Sequence, residues 1–442
     1  MKKVLKVLSI CVAFMMFISV FAGCAKKEEV SKQADQAKST EQAKPTEQTK
    51  PAEQPKSDKK VKIVFSRNKD STPSSQKIIE AFQKQNPNIE VEYQETPSSV
   101  DQAHNQYVTA LSAQDSTYDV FALDVIWIPE FAASNWVIPL DGKVNKDDFL
   151  PGPIEGATYN GKLYAVPFYI DAGLIYYRTD IIKEPPKTWD ELIKIAKENM
   201  GKNDTKYGYV FQAKQYEGMV CDALELIHTY GGRVLDDNGK VVINSPEALA
   251  GLKKYIELVQ SGIAPEGVTT YTETETQNVF LEGHSVLARN WPYMYSNVQK
   301  EGSKVKDKVA VAPLPGTPDG KPGQSVLGGR SLAVSKFSKH QEEAVKFVQF
   351  AAGEEGQRIQ TIVAGRYPGR KSTYNDPEVL KAVPHITMFE KVFQSIKPRP
   401  VSPIYPAISD VMQINFHKAI TGAITPEQAL KTVQEELKKI VK

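Results

Sequence analysis

From residue 61 onward, short apolar runs alternate with stretches whose apolar residues recur every three or four positions, so strands and helices can be read in turn. Residues 61–65 form an apolar run, and Lys77, Ile78, Ile79, Ala81 and Phe82 mark a helix that stops before Asn86-Pro87. Residues 89–93 alternate as a strand, residues 100–113 read as a helix, and residues 119–124 form a strand ending on Asp124. Strand, helix, strand, helix, strand predicts a parallel open sheet with helices on both faces. Ligands gather at the carboxyl ends of the strands of such sheets, which makes Asp124 a candidate binding group. Trp127, Phe131 and Trp136 follow in a short amphipathic segment and are expected in the core.

Residues 161–182 break this rhythm. A Gly161-Lys162 turn leads into residues 163–169, which alternate loosely like a half-buried strand; Asp171-Ala172-Gly173 interrupts, and a second apolar run covers residues 174–177. A carboxylate and a glycine inside an extended apolar stretch suit a hinge beside a cleft and predict a crossing between two lobes; an ordinary hairpin with a polar break is the alternative. Beyond it, Thr188 caps a helix with an acidic first turn. Residues 207–211 read as a strand, 219–230 as a helix ending at Gly231-Gly232, Asp237-Asn238-Gly239-Lys240 as a hairpin turn, and 246–261 as an amphipathic helix. The second half is therefore also α/β. At residues 283–295 an apolar strand delivers Trp291 and Tyr293 at its end. Aromatic faces in a cleft bind the apolar C–H faces of sugars; packing of Trp291 at a strand end is the alternative. Residues 425–442 form a capped helix with lysines in its last turn, expected to pack on the second lobe.

The N-terminal 58 residues have a different character. Lys2, Lys3 and Lys6 precede an apolar stretch at residues 7–21 and then Ala22-Gly23-Cys24, the build of a targeting segment. It resembles a bacterial lipoprotein signal with Cys24 as the lipidated residue, departing at Phe21; a plain transmembrane anchor is the alternative, for which the apolar run is short. Residues 25–58 repeat every six positions (QADQAK, STEQAK, PTEQTK, PAEQPK) and hold almost nothing apolar, so they predict a disordered stalk reaching on the order of 100 Å at full extension.

Composition narrows the function classes. The net charge of +2 and the absence of a basic stripe argue against nucleic acid. Of three cysteines, Cys11 lies in the targeting segment and Cys24 is the lipidation candidate, which leaves Cys221 alone on a predicted helix as buried filler. No disulfide framework or cysteine metal site can be built, and the six histidines lack ligand spacing.

Several segments in this order carry a resemblance: residues 119–140, the crossing with Tyr169 and Asp171, residues 288–296, Gly328-Gly329-Arg330-Ser331-Leu332-Ala333-Val334, Arg370-Lys371-Ser372, and the proline-rich residues 399–406. Together they resemble the family 1 extracellular solute-binding proteins, within them the trehalose/maltose-binding branch. The resemblance implies an α/β, two-lobe periplasmic-binding-protein-like fold (type II), with lobes at 59–170 plus 327–378 and at 171–326 plus 379–442, joined by two or three crossing segments. It implies a monomer, tethered to the extracellular face of the cell membrane, that binds a carbohydrate and presents it to the permease subunits of an ABC importer, without a cofactor or a metal. Asp124, Tyr169, Asp171, Trp291, Tyr293, Gly328, Gly329, Arg330 and Arg370 then match ligand-binding positions. Arg330 stands where this branch commonly carries tryptophan, which alters the pocket. The family's N-terminal acidic ligand falls in a loop at residues 66–75 that aligns poorly, with Asp70 and Glu80 as candidates.

The set also makes physical sense by itself. Carboxylates accept charge-assisted hydrogen bonds from hydroxyls, Arg370 can donate to hydroxyl oxygens, glycines admit close approach, and hinge closure is a population shift driven by contacts of the closed form. Two other classes stay open: a glycoside hydrolase with Asp124 and Asp171 as its carboxylate pair, and a binder of a non-sugar solute.

Overall fold

The computed structural model describes residues 60–441 apart from 237, 385, 388–392, 394–395 and 397. The expected signal segment with Cys24 and the stalk lie outside the described residues. Among the described residues no helix is long and apolar enough to cross a membrane.

The chain opens with β1 (Val61–Asn68), α1 (Ser74–Gln85), β2 (Ile89–Thr96), α2 (Val100–Ser112) and β3 (Val120–Asp124). Helix α1 turns Ile78, Ile79 and Phe82 inward, and α2 does the same with Ala103, Tyr107 and Leu111. Two short helices, α3 (Ile128–Ala133) and α4 (Pro151–Gly156), and a ribbon of β4 (Thr158–Tyr159) with β5 (Lys162–Leu163) lead to β6 (Val166–Asp171). Trp127 and Phe131 are core residues, while Trp136 is half-buried.

Next come β7 (Leu174–Arg178), α5 (Trp189–Asn199), β8 (Tyr207–Val210), α6 (Glu217–Thr229), α7 (Pro246–Gln260), α8 (Glu273–Leu281), β9 (Ser285–Asn290), α9 (Tyr293–Val298) and β10 (Val309–Ala312). Strand β11 (Gly328–Val334), α10 (Gln341–Ala351), α11 (Glu354–Ala364), α12 (Pro377–Ala382), α13 (Tyr405–Ile420) and α14 (Pro426–Ile440) complete the chain. Helices α5 and α14 start as their sequences indicate: the Thr188 side chain accepts from the Glu191 N–H, and Thr425 with Gln428 forms a capping box. Between β8 and α7, the Asp236 N–H donates to the Lys240 carbonyl, which closes the turn at Gly239.

The strands form two main sheets, in the orders β2-β1-β3-β11-β6 and β10-β7-β9-β8. Strands β1, β2 and β3 run parallel as the sequence pattern implies, but β11 is antiparallel to both β3 and β6, so the first sheet is mixed. The fully parallel sheet expected from the first 124 residues is corrected by a strand that enters from about 200 residues later and runs the other way. Strands β6 and β7 belong to different sheets, which sets aside the hairpin alternative: the chain crosses from one sheet to the other at Ala172-Gly173. Strand β6 is buried at every position rather than half-buried. Its Val166 and Phe168 join the first core, and Ile170 joins a cluster around the crossings that includes Ala172, Leu174, Leu327 and Tyr367.

The second sheet has its own core, to which Tyr405, Met412 and Phe416 of α13 and Leu430, Val433 and Leu437 of α14 contribute. The C-terminal helix therefore packs where its apolar stripe predicts.

Candidate functional site

The register of the first sheet decides which side chains meet. Strand β11 lies between β3 and β6, with Arg330 opposite both Asp124 and Tyr169, Gly329 opposite Ile170, and Gly328 opposite Asp171. An irregularity between Arg330 and Ser331 interrupts the ladder to β6 at this point, the kind of break that re-aims a side chain. Three strands thus deliver carboxylates, a phenol and a guanidinium to one end of the sheet. On the other side, β9 ends at Asn290 and hands Trp291 and Tyr293 to the same space.

A cavity of about 290 Å³ lies there, lined from the first half by Asn68, Lys69, Asp70, Asp124, Tyr169 and Arg330, and from the second by Glu217, Glu273, Gln277, Trp291 and Tyr293. Asp171, Gly328 and Gly329 border it at the crossings, and Arg366 and Arg399 complete the wall. Eight of the nine sequence-derived site residues are brought together. Arg370 differs: its guanidinium pairs with Asp148 (3.0 Å) and Glu354 (3.6 Å) beside Phe149, at a separate depression of the first half. The reason is local. The Tyr367 carbonyl accepts from the Ile170 N–H (2.8 Å), which sets Arg366 against the end of β6, while Arg370 is bridged to Phe149.

Arg366 occupies the central place. Its guanidinium lies 4.2 Å from the Tyr169 ring centre and 5.6 Å from that of Tyr293, within 3.4 Å of Asp70 and 3.7 Å of Asp171. Asp70 also accepts from the Thr72 and Ser74 hydroxyls and pairs with Arg67 at 3.1 Å. Burial alone favours its neutral acid, but Arg366, Arg67 and these hydroxyls outweigh it and hold its carboxyl well below the usual carboxylate range. Glu80, the other candidate in that region, is exposed on α1.

Asp124 receives guanidinium groups on both oxygens, Arg330 on one and Arg399 (3.3 Å) on the other, with the Ile126 N–H at 3.2 Å. Burial pushes its pKa up, and the two arginines more than reverse this. Arg330 also donates to Asn68 and lies 5.5 Å from the Trp127 ring centre. Arg399 ties the halves together, since its other nitrogen donates to Glu217 (2.6 Å), which starts α6 and accepts from Tyr405 and Ser409. Asp171 is different: burial raises its pKa despite Arg366 and Arg330, and its buried Oδ1 has no donor among the described residues.

Trp291 lines the cavity with one face backed by the Arg289 guanidinium at 4.0 Å, and its indole N–H donates to Glu273 (3.2 Å). The Arg366, Arg399, Glu217 and Glu273 contributions were missed in the sequence. Arg399 sat inside a segment already singled out for its prolines, and Arg366 four residues before the arginine chosen; for the two glutamates, each in the first turn of a helix, nothing in the sequence separates them from ordinary helix-start acids.

Two α/β sheets joined by crossing segments, with a polar, tryptophan-walled cavity between them, define a receptor for a small solute. Residues 68–358 match the model of the bacterial extracellular solute-binding proteins, and the chain belongs to that family. A probable ABC transporter-binding protein of Deinococcus radiodurans is 37% identical over 362 residues, covering 78% of this chain and 85% of the relative. The maltotriose-binding protein of Pyrococcus abyssi is 28% identical over 382 residues, 82% of this chain and 78% of that one. Among solved structures, maltose-bound T. maritima MalE3 is 40% identical with a TM-score of 0.81, covering 86% of this chain and all of that chain. These relatives are binding proteins rather than enzymes.

Proposed function

We propose that this protein is the lipid-tethered receptor of an ABC importer, anchored through Cys24, that captures a short neutral sugar between its lobes and hands it to the permease subunits. The observation that carries this reading is Trp291 and Asp171 on one cavity: an apolar ring face and a buried carboxylate oxygen that lacks a donor among the described residues. One sugar ring supplies both complements, a C–H face and a hydroxyl.

The charge pattern supports a neutral ligand. The carboxylates of Asp70, Asp124, Asp171, Glu217 and Glu273 face Lys69, Arg330, Arg366 and Arg399, with Arg67 behind Asp70, so the wall is balanced. Each arginine of the wall is already paired to a carboxylate, and a charged ligand would have to break such a pair. Because Arg330 and Arg399 occupy both oxygens of Asp124, and Arg366, Arg67, Thr72 and Ser74 occupy both of Asp70, hydroxyl capture falls chiefly to Asp171. The volume, near the lower end of the roughly 300–1,000 Å³ common for small-molecule sites, suits a glucose-based disaccharide better than a long chain.

The test is calorimetric titration with trehalose, maltose, cellobiose, laminaribiose and their longer homologues, on the wild type and Trp291→Ala. The expected outcome is binding of one linkage series, strongest for its disaccharide, and loss of most of that affinity in the variant with the fold intact by circular dichroism. Silence across the panel, or full affinity without Trp291, would overturn the reading.

A further inference from the structure

Behind Trp291 lies a second group of charges that does not touch the cavity. Arg289 on β9 is 1% exposed, and a guanidinium so buried must be paired and hydrogen-bonded throughout. Its Nε donates to Glu225 Oε2 (3.0 Å), its Nη2 to Glu225 Oε1 (2.5 Å), and its Nη1 to Gln212 Oε1 (2.9 Å); Asp222, one turn before Glu225 on α6, is 3.1 Å from Nε. The fork-to-fork geometry with Glu225 fixes the plane of the guanidinium, and that plane is what backs the indole of Trp291.

The same carboxylate reaches the crossings. Glu225 Oε1 accepts from the Ser325 hydroxyl (3.2 Å), and Ser325 Oγ accepts from the Gly173 N–H (2.6 Å). Gly173 belongs to the β6–β7 crossing and Ser325 to the β10–β11 crossing, so both converge on one acid. The approach is close: a Cβ on Gly173 would lie 2.2 Å from Glu225 Oε1 and 2.6 Å from Arg289 Nη2, so a side chain there would have to displace the pair. From the crossings to the stacking ring the path is continuous: Gly173, Ser325, Glu225, Arg289, Trp291.

We propose that the Arg289–Glu225 pair is a positioning unit that sets the orientation of Trp291 from the geometry of the two crossing segments, so that hinge movement and presentation of the stacking face are one event. Arg289 and Glu225 bind no sugar themselves; their effect passes through the indole. The consequence for affinity rests on the sugar-binding reading, whereas the consequence for the tryptophan does not.

The experiment uses the full chain and three substitutions. Arg289→Lys keeps the charge and loses the plane, Glu225→Gln keeps the shape and loses the charge, and Ser325→Ala removes only the link to the crossings. Without sugar, each is expected to change the near-ultraviolet circular dichroism and the tryptophan emission, and the change is expected to vanish when the same substitution is made in a Trp291→Phe background. With a sugar that the wild type binds, each is expected to weaken binding roughly tenfold, and this loss is expected to be absent in a Trp291→Ala background, the signature of residues that act as one unit. Spectra unchanged in all folded variants, or changes that persist without Trp291, would overturn the proposal. Should either variant of the ion pair fail to fold, Ser325→Ala decides by the same two readouts. Should no sugar of the panel bind, the sugar-binding reading fails and the sugar-free spectra still decide this one.

Discussion

Gly329 adopts φ +112°, outside the range open to side-chain-bearing residues, and a Cβ there would stand 2.3 Å from the Tyr169 carbonyl oxygen and 2.8 Å from Ile170 Cα. Both objections are to backbone, which cannot swing aside. Gly329→Ala is therefore expected to destabilise the fold by on the order of 2 kcal/mol or more, seen as a lower melting temperature. Gly142→Asn is the contrast: a position at φ +70° with nothing within 4 Å that asparagine tolerates. At this scale the sequence was informative wherever a candidate sat at a strand end. Asp124 and Trp291 could be placed because apolar runs end visibly and site residues gather at such ends, Asp171 because it interrupts an apolar run, and Arg330 only through the family resemblance. Arg366 and Arg399 could not, because they sit in irregular segments whose positions depend on partners far away in the chain: Tyr367 on Ile170 for the first, Glu217 and Asp124 for the second.

Among the elements, the local pattern found all five strands and helices of the first 124 residues, α2 and β3 to within one residue and β1 and β2 each three residues short, since periodicity and caps are local properties. It did not show that β11 would separate β3 from β6, because nothing within its seven residues encodes direction. Elements also carry a pH response. Helix α2 brings Asp101 against the start of α6, near Glu217 and Asp410, and burial followed by these two acids pushes its pKa up to about 6. Asp410 is raised in the same sense by burial, and His104, paired with Glu130 on α3, partly opposes both. A carboxyl whose pKa is raised where the halves meet penalises that contact once it ionises. The penalty is absent below about pH 4, grows as pH rises to about 6, and is complete above it. Sugar affinity is thus expected to be roughly tenfold higher near pH 4.5 than near pH 7.5, and Asp101→Asn to tighten binding at neutral pH while flattening the profile. Titrations at both pH values check this; an unchanged profile in the variant would assign the response elsewhere.

For the whole molecule, charges link the two halves through Arg399 on Asp124 and Glu217, and those charges satisfy one another inside the protein. Arg330 and Arg399 on Asp124, Arg366 on Asp70 and Asp171, and Arg399 on Glu217 leave no lining arginine without a carboxylate. A wall neutralised from within has few counterions to shed when a neutral guest arrives. Binding is then expected to change less than about threefold between roughly 0.05 and 0.5 M sodium chloride, a range over which the screening length shrinks severalfold; titrations at the two concentrations measure it. Outside the membrane the ionic strength is set by the surroundings rather than by the cell, so a receptor built in this way is expected to keep its grip on a neutral solute as those surroundings change.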